Sequence, residues 1–218
     1  MAIYIEKKST ELGPHFILTP ERYNPKRRMD LSDLDDGVVL SEIITLVNDT
    51  ITMKKSCDVL CYQINTSDAL GGCLKIPPQK ERLNSNKKIL QKGDVIISRL
   101  RPYLRQVAFV DTEKGTDIIG ASTEFYVLRA RNQESIAYIV PFLLSDPAQT
   151  VFANSVEGSQ HPRFKEEDLL QLVLPREIYD KREGISQRIE DAIANYRKYE
   201  KALDDELRSV NASMQSMV

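Results

Sequence analysis

Hydrophobic and polar positions divide the chain into a body of short apolar runs and a long C-terminal segment with a helical period. In the body, runs rich in Val, Ile, Phe and Tyr are bounded by Gly, Pro, Asn and Asp, which is typical of β-strands joined by turns. The predicted strands are CDVLCYQIN at 57–65, DVIIS at 94–98, QVAFVD at 106–111 and STEFYVLRA at 122–130.

The segments between these strands predict turns, loops and one mixed region. The diproline at 77–78 disfavours helix, so 76–90 is predicted as an extended loop. Gly93-Asp94 predicts a turn, and TEKGTDIIG at 112–120 predicts another. VVLSEIITLVNDTI, at 38–51, begins a compact α/β pattern, whereas residues 1–37 predict a loop or arm with little regular structure.

Three later segments predict helices. Residues 134–156 are apolar on one side, and KEEDLLQLVLP at 165–175 predicts a short helix that runs into a strand ended by its proline. From about residue 181, apolar positions step by three and four, which predicts a helix over 185–217 about 50 Å long. These positions are Ile185, Ile189, Ala192, Tyr196, Tyr199, Leu203, Leu207, Val210, Met214 and Met217.

A helix of this length with an apolar stripe needs a surface that covers the stripe. We expect coiled-coil packing against another helix; the alternative is that the helix folds back onto its own domain. The predicted organisation is therefore a globular domain over 1–178 and a long helix over 179–218.

The composition is that of a soluble globular chain without a membrane span, and it excludes several function classes. The sequence holds three cysteines and two histidines, and it contains no phosphate-binding glycine loop, dinucleotide fingerprint or nucleophile elbow. Cys57 and Cys61 are spaced like metal ligands, but no second pair completes a zinc site, so we expect small core residues, no metal and no cofactor. The absence of an N-terminal apolar segment and the odd cysteine count predict a cytoplasmic protein with reduced thiols.

Charge is distributed unevenly along a chain whose net charge is −2. Residues 75–105 hold nine Lys and Arg against two acids, whereas residues 30–49 hold six acids and no base. The segment SRLRPYLRQ, at 98–106, places three arginines, a tyrosine and a glutamine on a predicted strand–turn–strand support. Such a turn suits phosphates and base edges of DNA. From residue types alone, a solvated basic face paired with the acids at 30–49 is an equal alternative.

The order of segments from 87 to 175 resembles the target-recognition domain of the specificity subunit of type I restriction-modification systems. KKILQKGDVIISRLRPYLRQVAFV matches the strand pair of that family, and a Ser-x-x-Phe-x-Val-Leu-Arg strand follows. The residues that carry the rest of the resemblance are Ser122, Phe125, Val127, Leu128, Arg129, Phe142, Leu143, Leu144, Ser145, Ser155, Gly158, Arg163, Leu169, Leu172 and Pro175.

Two departures from the family pattern stand beside this resemblance. The usual Pro-Leu-x-Glu-Gln approach to the helix is replaced by PREIYDKREGISQRI, and the sequence holds one recognition domain and one helix where the family has two of each. The chain therefore resembles a half-subunit. Residues 1–50 match no part of the family pattern.

The resemblance implies an α+β fold, in which a twisted mixed β-sheet domain with short helices precedes a long coiled-coil helix. It implies a non-catalytic protein that reads a bipartite DNA site for a partner adenine-N6 methyltransferase, with or without a restriction subunit. The single domain and the heptad stripe add the hypothesis that two copies pair as a homodimer through their helices. The predicted DNA contacts are Lys75, Arg82, Lys87, Lys88, Arg99, Arg101, Tyr103, Arg105 and Gln106. The predicted helix contacts are Ile185, Ile189, Tyr196, Leu203, Leu207, Val210 and Met214.

Two other functions remain open at this point. A protein-interaction adaptor of the same fold would use the basic segment for an acidic partner, and a weak salt dependence of DNA binding would favour it. A metal-dependent nuclease would use acids such as Asp94 and Glu124, which both lie near predicted strand ends.

Overall fold

The computed structural model describes residues 6–11, 36–55, 58–112, 114–156 and 160–215. Within them the chain forms β-strands in three sheets, helices that cover one face, and a long C-terminal helix. The strands are β1 Gly37–Val39, β2 Ile44–Val47, β3 Thr50–Ile51, β4 Leu60–Ile64, β5 Ala69–Leu70, β6 Gly72–Leu74, β7 Glu81–Arg82, β8 Lys87–Ile89, β9 Val95–Ser98, β10 Val107–Phe109, β11 Ile118–Ser122, β12 Phe125–Ala130 and β13 Val173–Pro175. The α-helices are α1 Leu40–Ile43, α2 Ile139–Leu144, α3 Asp146–Ser155, α4 Glu166–Leu170, α5 Arg176–Asp180 and α6 Arg182–Gln215.

The two larger sheets are mixed, as the sequence predicted. One has the strand order β2-β12-β9-β10-β6-β5, and the other has the order β3-β8-β11-β4-β7. The β10–β6 and β11–β4 pairs are parallel, and the remaining neighbours are antiparallel. With the long helix appended, this arrangement confirms the predicted α+β fold.

The central strands are buried on both faces, which explains their continuous apolar sequence. Alternate side chains of a strand point to opposite faces. Val95 and Ile97 therefore pack in the core beneath α2 and α3, whereas Ile96 packs in a second core with residues of β4 and β11. In the first core, Phe152 stacks on Phe164 with ring centroids 4.4 Å apart, and both side chains are fully buried.

Several predicted elements differ in detail from the structure. The segment 112–120, predicted as a turn, contains most of β11, because Ile118 and Ile119 pair with β4 and Ile119 lies in the core. The loop predicted over 76–90 contains β7 and β8. The segment KKILQKGDVIISRLRPYLRQVAFV, at 87–110, therefore spans three strands and not the single strand pair that was predicted. The apolar segment 134–156 forms two helices, since the Ser145 hydroxyl caps α3 by accepting from the Ala148 N–H at 3.4 Å.

The N-terminal part of α6 packs on its own domain, and the C-terminal part does not. Ile193 is 4% exposed, and Ile185 and Ile189 are partly buried against the same core. Arg197 then pairs with both carboxylate oxygens of Asp111 at 3.0 Å. Beyond this ion pair, residues 201–215 are all exposed over about 22 Å of helix.

This division corrects one part of the predicted stripe. Ile185 and Ile189 were expected to contact a partner helix, but they pack against their own domain. The alternative prediction, that the helix folds back onto its own domain, therefore holds for this part of the helix. Seven of the remaining predicted positions are exposed, namely Ala192, Tyr196, Tyr199, Leu203, Leu207, Val210 and Met214. The last one, Met217, lies outside the described residues.

Among the described residues, the first and last strands pair with each other. β1 and β13 form a two-stranded antiparallel sheet with Gly37 opposite Pro175. A side chain at Gly37 would place its Cβ 2.3 Å from Val173 Cγ1 and 2.8 Å from the Leu174 carbonyl oxygen, so this close approach requires glycine. This pairing closes the segment 37–175 immediately before α5 and α6. No helix among the described residues is both long and apolar enough to cross a membrane.

Candidate nucleic-acid interface

A tight turn joins β9 to β10 and carries the predicted arginines. We call residues 99–106 the basic turn. Its base is fixed by the Ser98 N–H, which donates to the Gln106 carbonyl oxygen at 2.9 Å, and its centre is a short 3₁₀-helix over Pro102–Leu104. Pro102 is buried, and its fixed φ suits the first position of a helix.

A second segment braces the basic turn from the side. The Arg101 N–H donates to the Pro162 carbonyl oxygen at 2.9 Å, and the Phe164 N–H donates to the Arg99 carbonyl oxygen at 3.2 Å. Leu100 and Arg163 form an antiparallel bridge between the two segments. The turn is therefore hydrogen-bonded both across its own base and to a neighbouring segment.

Glu124 holds two arginines at the root of the basic turn. Arg99 Nε lies 3.1 Å from Glu124 Oε2, and Arg163 binds both oxygens of the same carboxylate at 2.9 and 2.6 Å. The hydrogen bonds from Arg163, and then those from Arg99, lower the pKa of Glu124 against the opposing effect of burial. Two guanidinium groups against one carboxylate leave this cluster with a net positive charge.

Two more groups lie against the same cluster. Lys88 Nζ lies 5.8 Å from the centre of the Tyr126 ring, and the Arg99 guanidinium lies 5.9 Å from it. Burial, and secondarily the charge of Arg99, lowers the pKa of Lys88. An open cleft of about 530 Å³ adjoins these groups. It is lined by Arg99, Tyr126, His161, Arg163, Phe164, Lys165, Glu166 and Glu167.

Five of the nine predicted DNA contacts lie in or beside the basic turn and are at least partly accessible to solvent. Of them, Arg99 and Lys88 lie at its root, and Tyr103 and the remaining arginines are exposed. Arg105 Nη2 lies 2.5 Å from Asp146 Oδ1, an ion pair whose two side chains are largely in solvent. The five are Lys88, Arg99, Arg101, Tyr103 and Arg105.

The other four predicted contacts lie elsewhere or inside the protein. Lys87 is 4% exposed and Gln106 is 8% exposed, because both occupy inward positions beside paired strands. Lys75 follows β6, which runs parallel to β10 and so ends away from the basic turn. Arg82 lies in β7, three strand positions from β8 and about 14 Å across the sheet. We therefore leave these four out of the interface.

Sequence reasoning did not identify Arg163 as part of the charged cluster, although Arg163 is one of the residues that match the family pattern. Arg163 is 39 positions from Glu124, and only the fold brings the two side chains together. The available signal was the segment HPRF, in which an arginine follows a proline in a polar loop. The sequence of that segment does not predict that Arg163 pairs with Glu124.

The acids considered for a nuclease do not form one site. Asp94 precedes β9 and Glu124 contacts Arg99, which follows β9, so the strand separates them by about 16 Å. Asp94 is bound by Arg129 through Nε–Oδ1 at 2.7 Å and Nη2–Oδ2 at 2.8 Å. Among the described residues, no group of three His, Cys, Asp or Glu side chains is placed to hold a metal ion.

The cysteines that the structure describes are Cys61, which is buried, and Cys73, which packs against a core cluster. Cys61 in β4 is fully buried and Cys73 in β6 is half-buried, and burial raises the pKa of both. The predicted pair of Cys57 and Cys61 cannot be compared with the structure, because Cys57 lies outside the described residues. The acids at 30–35 also lie outside them. Asp36 pairs with Arg176 and not with the basic turn.

The lowered pKa of Glu124 predicts a stability that is lost in acid. The interaction is fully present above the ordinary glutamate pKa of about 4.5 and is lost as the pH falls through the lowered value in the folded state. We expect urea unfolding of the Glu124→Gln variant to show a smaller loss of stability between pH 6 and pH 3 than the wild type. The matched control is Glu206→Gln, on the exposed part of α6. Equal pH profiles for wild type and Glu124→Gln would contradict the prediction.

Comparison with known proteins shows the fold of the chain. No protein-family model and no curated protein sequence matches it. One solved structure, described as "Structural basis underlying complex assembly and conformational transition of the type I R-M system", covers 82% of this chain at 20% identity with a TM-score of 0.55. The HsdS subunit from Thermoanaerobacter tengcongensis covers 82% at 20% identity with a TM-score of 0.50.

The predicted resemblance to type I specificity subunits is thereby confirmed at the level of the fold. The match includes 47% of each of these two chains, so the present chain spans about half of their length.

Proposed function

We propose that this protein is a DNA-recognition subunit, without chemistry of its own, that directs a partner adenine-N6 DNA methyltransferase to a bipartite site. The shared fold with a specificity subunit supports this assignment, as does the firmly braced basic turn. A motor nuclease subunit joins the complex in systems that also restrict DNA. The proposed location is the cytoplasm, where such a complex meets its DNA.

The basic turn is the observation that carries the proposal. Arg101 and Arg105 are exposed on a rigid support, and arginine donates two parallel hydrogen bonds to a phosphate or to a guanine edge. Because the turn is already ordered, little conformational entropy is lost when DNA binds. The cluster of Lys88, Arg99 and Arg163 adds positive charge behind it.

The exposed part of α6 supports a proposal about assembly. One recognition domain reads one half of a bipartite site, so a second domain is needed for the other half. We propose that two copies pair through antiparallel α6 helices and read a site with two-fold symmetry. The stripe from Tyr196 to Met214 would then form the seam.

Co-purification is the first test of this function. We would tag the full chain in its native host and identify stoichiometric partners by mass spectrometry. We expect an adenine methyltransferase that carries its own cofactor-binding motif. If none co-purifies, and if purified chain binds DNA weakly and without salt dependence, the chain shares the fold of a specificity subunit without its function.

Arg101 should contribute one phosphate contact to DNA binding. We expect the affinity of the chain for duplex DNA to fall steeply with salt, and Arg101→Ala to reduce the slope of log K against log salt by about 1. Lys92→Ala is the matched control, since Lys92 is exposed near the opposite end of β9. An equal reduction of the slope by both variants would argue against the basic turn as the interface.

A further inference from the structure

The tip of the basic turn is apolar, although both of its flanks are cationic. Tyr103 is 66% exposed and Leu104 is 43% exposed, and they are adjacent in the 3₁₀-helix whose first residue, Pro102, is buried. Single exposed apolar residues are ordinary in proteins, but a tyrosine and a leucine side by side at the end of a hairpin form a projecting apolar surface. Phosphate contacts do not need such a surface.

The backbone that presents this tip is strained and fixed. Arg101 has φ 51° and Arg105 has φ 50°, so both residues that flank the 3₁₀-helix adopt the left-handed conformation that L-residues other than glycine rarely adopt. Hydrogen bonds from the Leu104 N–H to the Arg101 carbonyl (2.9 Å) and from the Arg105 N–H to the Pro102 carbonyl (2.8 Å) close the turn. Strain that the surroundings maintain in this way points to a function of the residues it presents.

The flanking arginines are available for an anion on each side of the tip. Within the described residues, the Arg101 side chain has no hydrogen bond or ion pair. Arg105 pairs with Asp146, whose side chain is 79% exposed, and exposed ion pairs of this kind exchange partners readily. A single turn therefore carries an exposed apolar pair, Tyr103 and Leu104, with one arginine on each side.

Resting on the function proposed above, we infer that Tyr103 and Leu104 form a wedge that enters the bound duplex between two base pairs. The Tyr103 ring stacks on a base of the opened step, Leu104 fills the space beside it, and Arg101 and Arg105 bind phosphates on either side. Apolar side chains that enter a base step unstack it and bend the duplex. Because an aromatic ring stacks on any base, the wedge favours base steps that unstack easily and does not select a particular base.

The chain and its methyltransferase partner are first used together to select a duplex from a random pool. The test then measures binding of the full chain to this selected duplex. In a series of duplexes, one base at a time is replaced with 2-aminopurine, whose fluorescence rises when the base unstacks. A second set of duplexes carries a donor and an acceptor dye at its two ends, so that energy transfer reports bending. The variants are Tyr103→Ala, Tyr103→Phe and Leu104→Ala. Leu60→Ala is the matched control, because Leu60 is 51% exposed in β4, on a different sheet.

We expect wild type to raise the fluorescence at one step per half-site and to shorten the distance between the ends. Tyr103→Ala should lose both signals and bind about tenfold more weakly, the loss expected for one base–aromatic stack. Tyr103→Phe, which keeps the ring, should retain both signals. An abasic position at the opened step should tighten wild-type binding, since the step is already unstacked, and should leave Tyr103→Ala unchanged. Leu60→Ala should behave as wild type, and thermal unfolding should show that all variants are folded.

Three results would overturn the inference, and they separate it from the proposed function. If wild type binds a selected duplex with no rise in fluorescence and no bend, DNA recognition stands and the wedge does not. If Tyr103→Ala keeps DNA binding and bending but no longer retains a co-purifying protein, the tip is a protein contact. If wild type with its partner selects no duplex, both proposals are wrong.

Discussion

Replacing Arg129 with methionine should destabilise the domain by about 3–5 kcal/mol, the cost of leaving a buried charge without its partner. Asp94 is 1% exposed, and Arg129 supplies two of its hydrogen bonds in a parallel, two-point pair. The third comes from the Gln91 N–H at 2.8 Å, which remains in the variant but does not neutralise the carboxylate. The measurement is urea unfolding of Arg129→Met and wild type at pH 7.

The same measurement should separate this pair from an exposed one. Arg82 lies 3.9 Å from Asp58, and both side chains are about four-fifths exposed. Since exposed ion pairs contribute about 0–1 kcal/mol, Arg82→Met should be nearly neutral. The double variant Arg129→Met/Asp94→Asn should recover part of the loss, because it removes the unpaired charge. An equal loss of unfolding free energy in Arg129→Met and Arg82→Met would contradict the prediction that burial of Asp94 makes its ion pair the more costly one to break.

Replacing Leu207 with aspartate should convert the proposed dimer to a monomer. A buried leucine contributes about 1.5–3 kcal/mol, and a two-fold dimer loses two of them, so we expect the dissociation constant to rise at least about 100-fold. Leu207 is 55% exposed in the isolated chain, and the substitution should therefore leave the fold intact. Sedimentation velocity over a concentration series measures the effect.

Two further variants make this result specific. Ser209→Asp places the same charge on α6 outside the apolar stripe and should leave the dimer unchanged. Ile189→Asp should instead destabilise the domain, because Ile189 packs against its own core. A wild-type chain that stays monomeric at tens of micromolar, without a partner protein that supplies a helix, would contradict the proposed homodimer.

The strands and helices were predictable from the sequence because the apolar pattern of each segment matches its place in the core. The run Val95–Ile96–Ile97 predicted a strand, and its lack of alternation follows from burial on both faces. The strand β11 was less predictable. Its sequence follows Gly115 and Asp117, which are typical of a turn, and its pairing partner β4 lies more than 50 positions earlier.

The basic turn was predictable as a feature, but the role of each side chain was not. Lys87 and Lys88 are neighbours with the same chemistry, and the strand alternation of β8 buries one and leaves the other beside Tyr126. The pairing of Glu124 with Arg99 and Arg163 depends on three segments that meet only in the fold. In the same way, the heptad pattern of α6 does not tell which of its turns the domain itself covers.

The pairing of β1 with β13 has a consequence for how the body can be altered. It brings the two ends of the segment 36–176 together, so that the Arg176 N–H lies 3.3 Å from the Asp36 carbonyl oxygen. A unit whose ends meet can be grafted, duplicated or exchanged within a longer polypeptide with little distortion of the flanking chain. One condition limits such grafting: a replacement body has to keep the apolar surface that receives Ile193, since that contact fixes the direction in which α6 leaves.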